Sequence, residues 1–480
     1  MTERNHGGRQ QRPSRPRRPH PPARRVGPRR PPQEDPTRQV ALDVLRAVRE
    51  RDAYANLVLP KLLRERKLSG RDAALATELT YGAARAQGLL DAVLGACADR
   101  PLSDVDGPFL DAMRLGAYQL LRTRIPSHAA VASTVDLVRA NHGSGPAGFV
   151  NAVLRKVSER DEAAWMAELA PEAEQDPVGH QALVNAHPKW IAQAFADALA
   201  DKGEGLAAAL RADDARPAVH LAARPGEVTS EELAAITGGD VAPYSPYGVH
   251  LEAGAGDPGD LEPVREKLAA VQDEGSQLCA LALTRVPLTG TDERWLDLCA
   301  GPGGKAVLLA ALAGLQGGTL DAVEKAPHRA DLIRSATQGL PVTVHVADGR
   351  ETPFQPGTFD RVLVDAPCTG LGALRRRPEA RWRRQPSDVA DLTKLQRELL
   401  LSALELVRPG GVVAYVVCSP HLRETVGVTS DVVRRTGAEQ IDTREYFPGV
   451  PELGKGPAVQ LWPHLHGTDA MFCALLRRPN

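Results

Sequence analysis

Hydrophobic residues from position 36 to about 156 recur at helical spacing, and no stretch alternates apolar and polar positions as a half-buried strand does. Five of them share one face of the first predicted helix: Val40, Ala41, Val44, Leu45 and Val48. Later helices are predicted at about 108–122, 128–140 and 147–158. The pattern therefore predicts an all-α bundle of about six helices over residues 36–160.

The pattern changes twice within residues 161–270. Up to about residue 215 the chain is rich in alanine and keeps the helical period, with Lys189, Phe195 and Leu199 in one predicted helix. Beyond Pro217, short β-prone pieces alternate with Gly/Pro turns. We expect linker helices followed by a small α/β subdomain.

Residues 271–480 alternate short apolar strands with helices. The strands are predicted at 294–298, 318–323, 342–346, 359–364, 412–417 and 471–476. A long helix from about 388 to 407 is predicted to end at Pro409, Gly410 and Gly411. This alternation is typical of a mostly parallel, doubly wound, Rossmann-like sheet, whose ligands bind at the carboxyl ends of the strands.

Charge separates the start of the chain from the rest. Residues 1–34 carry ten Arg, two Glu and eight Pro but no aromatic residue, which leaves 49 cationic and 58 acidic side chains in residues 35–480. Such a segment cannot bury enough apolar surface to offset its ordering entropy, so we predict a disordered tail over residues 1–35. The tail is either a solvated extension or an electrostatic tether to RNA.

Cysteine spacing and hydropathy bear on the compartment. The six cysteines include no C-x-x-C pair, which fits reduced thiols better than a disulfide framework or a zinc site. His464 and His466 form only an H-x-H without further ligands at metal-binding spacing, so we expect no metal. No apolar run approaches the roughly 20 residues that span a bilayer. We expect a cytoplasmic protein with no membrane contact.

A glycine-rich loop follows the first strand of the predicted sheet. Residues 297–305 are Asp-Leu-Cys-Ala-Gly-Pro-Gly-Gly-Lys, and an Ala/Leu-rich helix comes next. Glycines let the backbone approach a ligand closely, and the helix N-terminus offers N–H groups to an anion. The spacing matches neither the dinucleotide fingerprint nor the P-loop. That departure favours S-adenosylmethionine, although such a loop could also be an ordinary strand-to-helix turn.

Acidic residues follow other strands of the same sheet. Glu324, about 20 residues after the loop, is placed to accept hydrogen bonds from ribose hydroxyls. Asp348 follows the third strand and Asp365 the fourth. The carboxyl ends of parallel strands meet at one edge, so these groups are predicted to gather around the glycine-rich loop.

Two cysteines follow neighbouring strands, Cys368 after the fourth and Cys418 after the fifth. Cytosine C5 is a poor nucleophile, but a thiolate that adds to C6 converts the ring to an enamine whose C5 can attack a methyl sulfonium. An acid near the ring N3 would stabilise the developing charge, and Asp365 is the natural candidate. A lone cysteine is more often a small buried hydrophobe. The pairing at two strand ends favours covalent catalysis over that alternative.

These motifs resemble those of the bacterial RsmB (Fmu/Sun) family of ribosomal RNA 5-methylcytosine methyltransferases. Residues 297–305 match the first family motif, residues 365–370 the DAPC-[ST]-G motif, residues 418–420 the TCS-P motif and residues 466–476 the closing segment. Val417 stands where the family usually has Thr, and Thr425 where it commonly has Asn. Neither departure removes a reacting group.

The helical bundle resembles a second family, the NusB family of RNA-binding bundles. The matching stretches are residues 38–45, 78–82, 114–121 and 149–155. Together the two resemblances imply a multidomain chain: an all-α NusB-like bundle, a small α/β subdomain for RNA recognition, and a Rossmann-like (class I) methyltransferase domain. They also imply that the bundle positions RNA.

The resemblance assigns roles to individual residues. Cys418 would attack C6, Cys368 would assist product release and Asp365 would contact the ring N3. It implies S-adenosylmethionine as the cofactor, with contacts from Cys299, Ala300, Gly301, Pro302, Gly303, Gly304, Lys305, Glu324, Arg329, Asp348 and Asp365. The substrate implied is small-subunit (16S) ribosomal RNA, free or in an assembling particle, bound by a monomer.

An arginine-rich run follows the DAPC motif. Its members are Arg375, Arg376, Arg377, Arg381, Arg383 and Arg384. A charge run usually marks a solvated face. This one lies beside the proposed site and includes Trp382, which could stack on a base or pack internally, so we predict contacts with RNA phosphates.

Two other functions compete with an rRNA methyltransferase. One is a non-catalytic RNA-binding ribosome-assembly factor that keeps the fold, against which both cysteines and Asp365 argue. The other is the same chemistry on tRNA or DNA, which differs only in the nucleic acid that is methylated.

Overall fold

The computed structural model describes residues 1–2, 35–252 and 256–480. The predicted disordered tail lies outside these residues except at its two ends. Within the described residues, no helix is both long and apolar enough to cross a bilayer.

The N-terminal part is a bundle of helices, as predicted. Its seven α-helices are α1 (Pro36–Arg51), α2 (Ala55–Glu65), α3 (Gly70–Arg85), α4 (Gln87–Cys97), α5 (Gly107–Arg122), α6 (Ser127–His142) and α7 (Ser144–Val157). Asp35 begins the first of them, because its side chain accepts a hydrogen bond from Arg38 N at 3.0 Å. Leu89, Leu90, Val138 and Leu154 are fully buried at the centre.

Four more helices continue from the bundle: α8 (Glu162–Leu169), α9 (Pro177–Val184), α10 (Lys189–Leu199) and α11 (Glu204–Asp214). Their apolar faces close around Phe195, which is fully buried. Leu371 and Trp462, from much later in the chain, complete this cluster. The linker helices therefore pack directly on the C-terminal part of the molecule.

A small four-stranded sheet comes next, with strands β1 (Val219–Ala223), β2 (Asp240–Val241), β3 (Gly248–Leu251) and β4 (Ala269–Val271). The strands are antiparallel in the order β2-β3-β1-β4. Two helices accompany them, α12 (Ser230–Thr237) and α13 (Glu262–Arg265). Leu233 of α12 is buried with Leu221 and Val249 of the sheet.

The C-terminal part is built on one mixed sheet of eight strands: β5 (Arg294–Asp297), β6 (Thr319–Glu324), β7 (Val342–Val346), β8 (Phe359–Asp365), β9 (Val407–Val417), β10 (Glu439–Ile441), β11 (Val459–Gln460) and β12 (Phe472–Arg477). Its path is β10-β12-β9-β8-β5-β6-β7, and β11 pairs with β12. The five strands β5 to β9 are mutually parallel, whereas β10, β11 and β12 join antiparallel. This is the predicted Rossmann-like, mostly parallel sheet.

Five helices pack on the two faces of this sheet: α14 (Glu274–Arg285), α15 (Gly304–Leu315), α16 (Pro327–Ala336), α18 (Asp388–Leu406) and α19 (Val426–Thr436). Two short helices, α17 (Ala380–Arg383) and α20 (Pro463–His466), instead contact the linker helices and the bundle. The strand order reverses direction at β5, between β6 and β8. In doubly wound sheets a crevice opens at that switch point, outside the carboxyl ends of the strands.

One predicted break is wrong. Pro409, Gly410 and Gly411 were expected to separate a helix from a strand that begins at residue 412, but β9 already begins at residue 407. The ladder with β8 pairs Phe359 with Val407 and then Arg361 with Val412, so the intervening residues bulge out. Gly410 has a φ of 75°, which lets the chain loop out and return to the same ladder.

Candidate active site

The glycine-rich loop continues β5 between its two neighbours before it turns into α15. Leu298 N donates to Leu363 O of β8 at 2.9 Å, and Ala300 N donates to Val323 O of β6 at 2.9 Å. Gly303 then adopts a φ of 114°, which favours glycine, and no side chain of the described residues caps α15. The N-terminus of α15 can therefore offer its N–H groups to an anionic ligand.

Glu324, at the end of β6, lies against this loop. A Cβ added to Gly301 would come within 2.1 Å of Glu324 Oε2, so only glycine allows this approach. Ala326 N donates to Glu324 Oε1 at 2.8 Å and fixes the carboxylate. Arg329 Nε lies 3.5 Å from Glu324 Oε2, and its guanidinium also donates to Gly301 O. The structure thus brings the loop, Glu324 and Arg329 together.

Lys305 and Asp365 form an ion pair beneath the loop, with Nζ 2.7 Å from Oδ2. Burial alone would lower the pKa of Lys305, but the charge and hydrogen bond of Asp365 outweigh it and raise that pKa. Lys305 is therefore cationic at neutral pH. The side chain of Asp365 remains 31% exposed, which leaves it accessible from the cleft.

Asp297 is a buried carboxyl group beside this pair. Burial, and then the negative charge of Asp365, raise the pKa of Asp297 to about 7. Its Oδ1 accepts a hydrogen bond from Cys299 N at 3.4 Å, and its Oδ2 has no partner among the described residues. Burial also raises the pKa of the Cys299 thiol well above its usual range.

Asp348 lies after β7 and is held by two cations. Arg350 makes a bidentate contact with the carboxylate: Nε donates to Oδ1 at 2.9 Å and Nη2 donates to Oδ2 at 2.7 Å. Lys325 Nζ donates to Oδ2 at 2.9 Å. The hydrogen bond from Arg350 lowers the pKa of Asp348, so the group stays ionised. β7, which Asp348 follows, pairs with β6, which ends at Glu324. A hydrogen bond from Ala347 N to Glu324 O continues this pairing and brings Asp348 to the same edge of the sheet as Glu324.

The two cysteines meet in the cleft at the ends of β8 and β9. Cys368 Sγ and Cys418 Sγ are 3.5 Å apart, and both side chains are partly exposed. The hydrogen bond with Cys418, and then burial, raise the pKa of the Cys368 thiol well above its usual range. Cys368 therefore keeps its proton at neutral pH, and its S–H group can donate a hydrogen bond to Cys418 Sγ.

A buried carboxylate, Glu424, accepts hydrogen bonds from both loops that carry the cysteines, the one after β8 with Cys368 and the one after β9 with Cys418. Its Oε1 accepts from Thr369 N at 2.8 Å, beside Cys368. Its Oε2 accepts from Ser419 Oγ at 2.6 Å, beside Cys418, and from the Thr369 hydroxyl at 2.5 Å. One fully buried side chain thus fixes the residues next to both sulfur atoms.

Gln396 of α18 extends this support. Its Nε2 donates to Pro367 O at 2.9 Å and to Glu424 Oε1 at 3.1 Å, while Tyr415 Oη donates to Glu424 O at 2.7 Å. Glu424 and Gln396 are not among the site residues that the sequence predicts. A single acidic or amide residue gives no local signal for such a role, because the contacts that join the two loops are distant in sequence: Thr369 lies 55 positions from Glu424, and Glu424 lies 28 positions from Gln396.

The prediction that the arginine-rich run contacts RNA phosphates is wrong for its buried members. Arg375 and Arg381 are buried and ion-paired to carboxylates. Arg376 is partly buried and is also ion-paired. Arg383 donates to backbone carbonyls of the bundle. Arg375 and Arg381 are thus neutralised inside the protein, whereas Arg376 and Arg383 have their hydrogen-bonding groups engaged within the protein and keep about a quarter of each side chain exposed.

The remaining two arginines of the run reach the surface. Arg377 is exposed and lies over the ring of Tyr54, with Cζ 5.5 Å from the ring centroid. Arg384 is 38% exposed and lies 3.8 Å from Asp388. For these two, phosphate contact stays a prediction. Within the described part of the chain, no group of three His, Cys, Asp or Glu side chains could hold a metal ion.

Comparison with known proteins decides the family. The model of the family described as 16S rRNA methyltransferase RsmB/F matches residues 287–477, and that of the NusB family matches residues 35–159. The ribosomal RNA small subunit methyltransferase B of Pseudomonas putida strain KT2440 is 32% identical over 416 residues, which cover 84% of this chain and 91% of that protein. The chain belongs to the RsmB/F family of 16S rRNA methyltransferases. The family resemblance and the fold class predicted from the sequence are confirmed.

A second relative and a solved structure agree with this family assignment. A protein of Mycobacterium tuberculosis H37Rv that is named only as a methyltransferase is 62% identical over 454 residues, which cover 94% of this chain and 98% of that protein. The solved structure of PH0851 has a TM-score of 0.76 at 21% identity and covers 93% of this chain and 99% of its own. At that identity it supports the fold alone. This RsmB/F-family protein is thus a methyltransferase with a NusB-like N-terminal domain and a Rossmann-like C-terminal domain.

Proposed function

We propose that this RsmB/F-family protein transfers a methyl group from S-adenosylmethionine to C5 of a cytosine in small-subunit ribosomal RNA. The observation that carries the proposal is the 3.5 Å separation of Cys368 Sγ and Cys418 Sγ at the ends of β8 and β9. Two thiols at this position, beside the glycine-rich loop, suit covalent activation of a pyrimidine ring.

Cys418 is the nucleophile in this proposal. Its thiolate adds to C6, the electron pair moves toward N3, and C5 becomes able to attack a methyl group. The 3.5 Å contact supports these roles, because the S–H group of Cys368 can donate a hydrogen bond to a thiolate formed at Cys418. After transfer, the C5 proton passes to solvent water, its electron pair re-forms the C5–C6 double bond, and the C6–S bond breaks with its electrons on sulfur, which releases the thiolate of Cys418. Cys368 assists that elimination.

Asp365 would contact the ring at N3. Its carboxyl group is oriented by Lys305 at 2.7 Å and retains an exposed surface, so that in its protonated form it can donate a hydrogen bond to N3. The cation beside it balances negative charge that develops on the ring during thiolate addition. Lys305 is thus a positioning residue for Asp365.

The residues around the loop fit S-adenosylmethionine. When bound, this cofactor supplies an electrophilic methyl group. The uncapped N-terminus of α15 suits its carboxylate, Glu324 suits the ribose hydroxyls, and the unpartnered Oδ2 of Asp297 can accept from an ammonium group. Arg329 donates a hydrogen bond to Gly301 O and so stabilises the glycine-rich loop. Asp348 adds an ionised carboxylate at the same edge of the sheet.

The RNA must present its target base unstacked, because the reacting atoms of a stacked pyrimidine cannot reach two thiols in a cleft. This favours loops or incompletely folded rRNA as substrates. The NusB-like bundle would hold flanking RNA while the base enters the cleft.

Bisulfite sequencing of rRNA from a strain that lacks this protein tests the proposal. One cytosine of the 16S rRNA should lose its methylation in that strain and regain it when the gene is restored. If every rRNA cytosine keeps its state, the assembly-factor alternative is favoured. Transfer of labelled methyl groups in vitro to 16S rRNA, tRNA and DNA then separates the same chemistry on other nucleic acids.

A further inference from the structure

Residues 371–384, which we term the connector, begin three positions after Cys368 and run from the cleft to the bundle. Their first residues touch the other cysteine loop, because Gly372 N donates to Cys418 O at 2.9 Å. Ala470 N donates to Gly372 O at 2.8 Å, and a Cβ on Gly372 would lie 2.0 Å from Ala470 O. The connector therefore starts in close contact with the Cys418 loop.

Two arginines fix the middle of the connector by ion pairs. Arg375 Nε lies 2.7 Å from Asp469 Oδ1, and Arg376 Nη2 lies 2.7 Å from Asp273 Oδ2. Arg376 Nη1 also donates to Ala218 O, just before β1, at 3.0 Å. The small subdomain and the methyltransferase sheet are thus joined through the same segment.

The far end of the connector is inserted between the linker helices and the bundle. Arg381 is 0% exposed and pairs with Asp213 and Asp214, each at 3.0 Å. Its guanidinium also donates to Ala186 O at 2.9 Å and to Arg85 O, at the end of α3, at 3.3 Å. Removal of one partner of such a buried pair leaves an uncompensated charge, so this contact resists separation.

Trp382 and Arg383 complete the junction on the bundle itself. Trp382 Nε1 donates to Ala84 O of α3 at 2.8 Å, and its ring covers Gly88 of α4 so closely that a Cβ there would lie 2.3 Å from the ring. Arg383 Nη1 donates to Asp52 O, between α1 and α2, at 2.9 Å. The connector thus ends against two turns of the bundle.

We propose that the connector is a positioning device that holds the NusB-like bundle at a fixed place relative to the two reacting cysteines. RNA bound by the bundle is then presented to Cys418 at a high effective concentration, because both sites belong to one rigid unit. The substrate class that benefits is an RNA long enough to touch the bundle and the cleft at once. This inference rests on the function proposed above.

Gly88 offers a test from the bundle side, far from the reacting atoms. The G88A variant places a methyl group against the Trp382 ring and forces the far end of the connector away from α4. The matched control is G95A in the same helix, where a Cβ would meet nothing within 4 Å. Both changes replace glycine by alanine within α4, so they differ mainly in the contact with Trp382. A third variant, W382A, removes the ring and leaves the bundle sequence intact.

We expect G88A and W382A to lower kcat/KM for full-length 16S rRNA by about tenfold or more, because loss of a rigid link lowers effective concentration. Transfer to a short oligonucleotide that carries only the target cytosine should stay as in the unaltered protein. G95A should match the unaltered protein on both RNAs, and helix content by circular dichroism should be equal in all variants. Equal losses on both RNAs, or none on either, would overturn the proposal.

Affinity for full-length 16S rRNA, measured without cofactor, separates this inference from the function proposed above. G88A should weaken that affinity and G95A should not. If the unaltered protein transfers no methyl group to any RNA, the proposed function fails, while the binding comparison still decides whether the connector couples bundle and cleft. Unchanged affinity in G88A would overturn the connector's role.

Discussion

Glu424 holds the residues beside both reacting sulfur atoms without reaching the substrate itself. It accepts from Thr369 next to Cys368 and from Ser419 next to Cys418, and it is fully buried. Positions of reacting groups within about 0.5 Å decide the rate of enzymatic steps, so such supports matter as much as the groups they hold. At this scale the two cysteines could be found from the sequence, because cysteine has distinctive chemistry. Glu424 could not, because its role depends on Thr369, which lies 55 positions away.

Replacement of Glu424 by Gln converts one acceptor oxygen into an NH2 group, whose hydrogens then face the hydrogens of the former donors. We expect Glu424→Gln to lower the free energy of unfolding by about 1–3 kcal/mol and kcat by about ten- to a hundredfold. Cofactor affinity, measured by calorimetry, should stay unchanged because the glycine-rich loop is not involved. Glu445→Gln, at an exposed position, serves as the control. A variant with full kcat would show that Glu424 does not position the cysteines.

Asp297 should make stability depend on pH. The unfolded chain loses this proton near its ordinary value of 3.8, whereas the folded protein keeps it until about 7. Its contribution is therefore fully present below pH 3.8 and is lost as pH rises toward 7. Since Asn cannot ionise, the melting temperature of Asp297→Asn relative to the unaltered protein should rise across that window. A constant difference, as expected for the exposed Asp240→Asn control, would contradict the assignment.

Elements with a strong period were predicted well, and elements shaped by tertiary contacts were not. The helix predicted at about 388–407 is observed at Asp388–Leu406, because its apolar face persists over five turns. The Pro-Gly-Gly break was misplaced, since the ladder of β9 with β8 resumes after the bulge. Local turn residues indicate that a chain bends and not whether it returns to the same strand.

The bulge in β9 predicts a specific sensitivity. A Cβ at Gly411 would lie 2.7 Å from Asp360 O and 3.0 Å from Arg408 O, and neither backbone oxygen can move freely. We expect Gly411→Ala to destabilise the protein by about 1–3 kcal/mol, observed as a melting temperature lower by several degrees. Gly148→Ala in α7 is the control, because a Cβ there meets nothing within 4 Å. Equal melting temperatures for both variants would refute the proposed crowding.

Over the whole molecule, the change in hydrophobic period along the sequence separates the helical part from the Rossmann-like part. The way the parts join could not be predicted. Arg381 meets Asp213 from 168 positions away, and Trp382 meets Ala84 from 298 positions away. A run of arginines looks the same in sequence whether its carboxylate partners are solvent-separated or packed against it. The buried part of the run predicted to contact RNA therefore lies at a junction between domains.

The most direct test of covalent catalysis by the two cysteines is to trap the RNA on the enzyme. Cys368→Ala, incubated with S-adenosylmethionine and 16S rRNA, should form a species that migrates slowly on a denaturing gel, because addition by Cys418 proceeds while release is blocked. The double variant that also carries Cys418→Ala should form none and transfer no methyl groups. Normal turnover by Cys368→Ala without an adduct, or an adduct that survives loss of Cys418, would contradict the account.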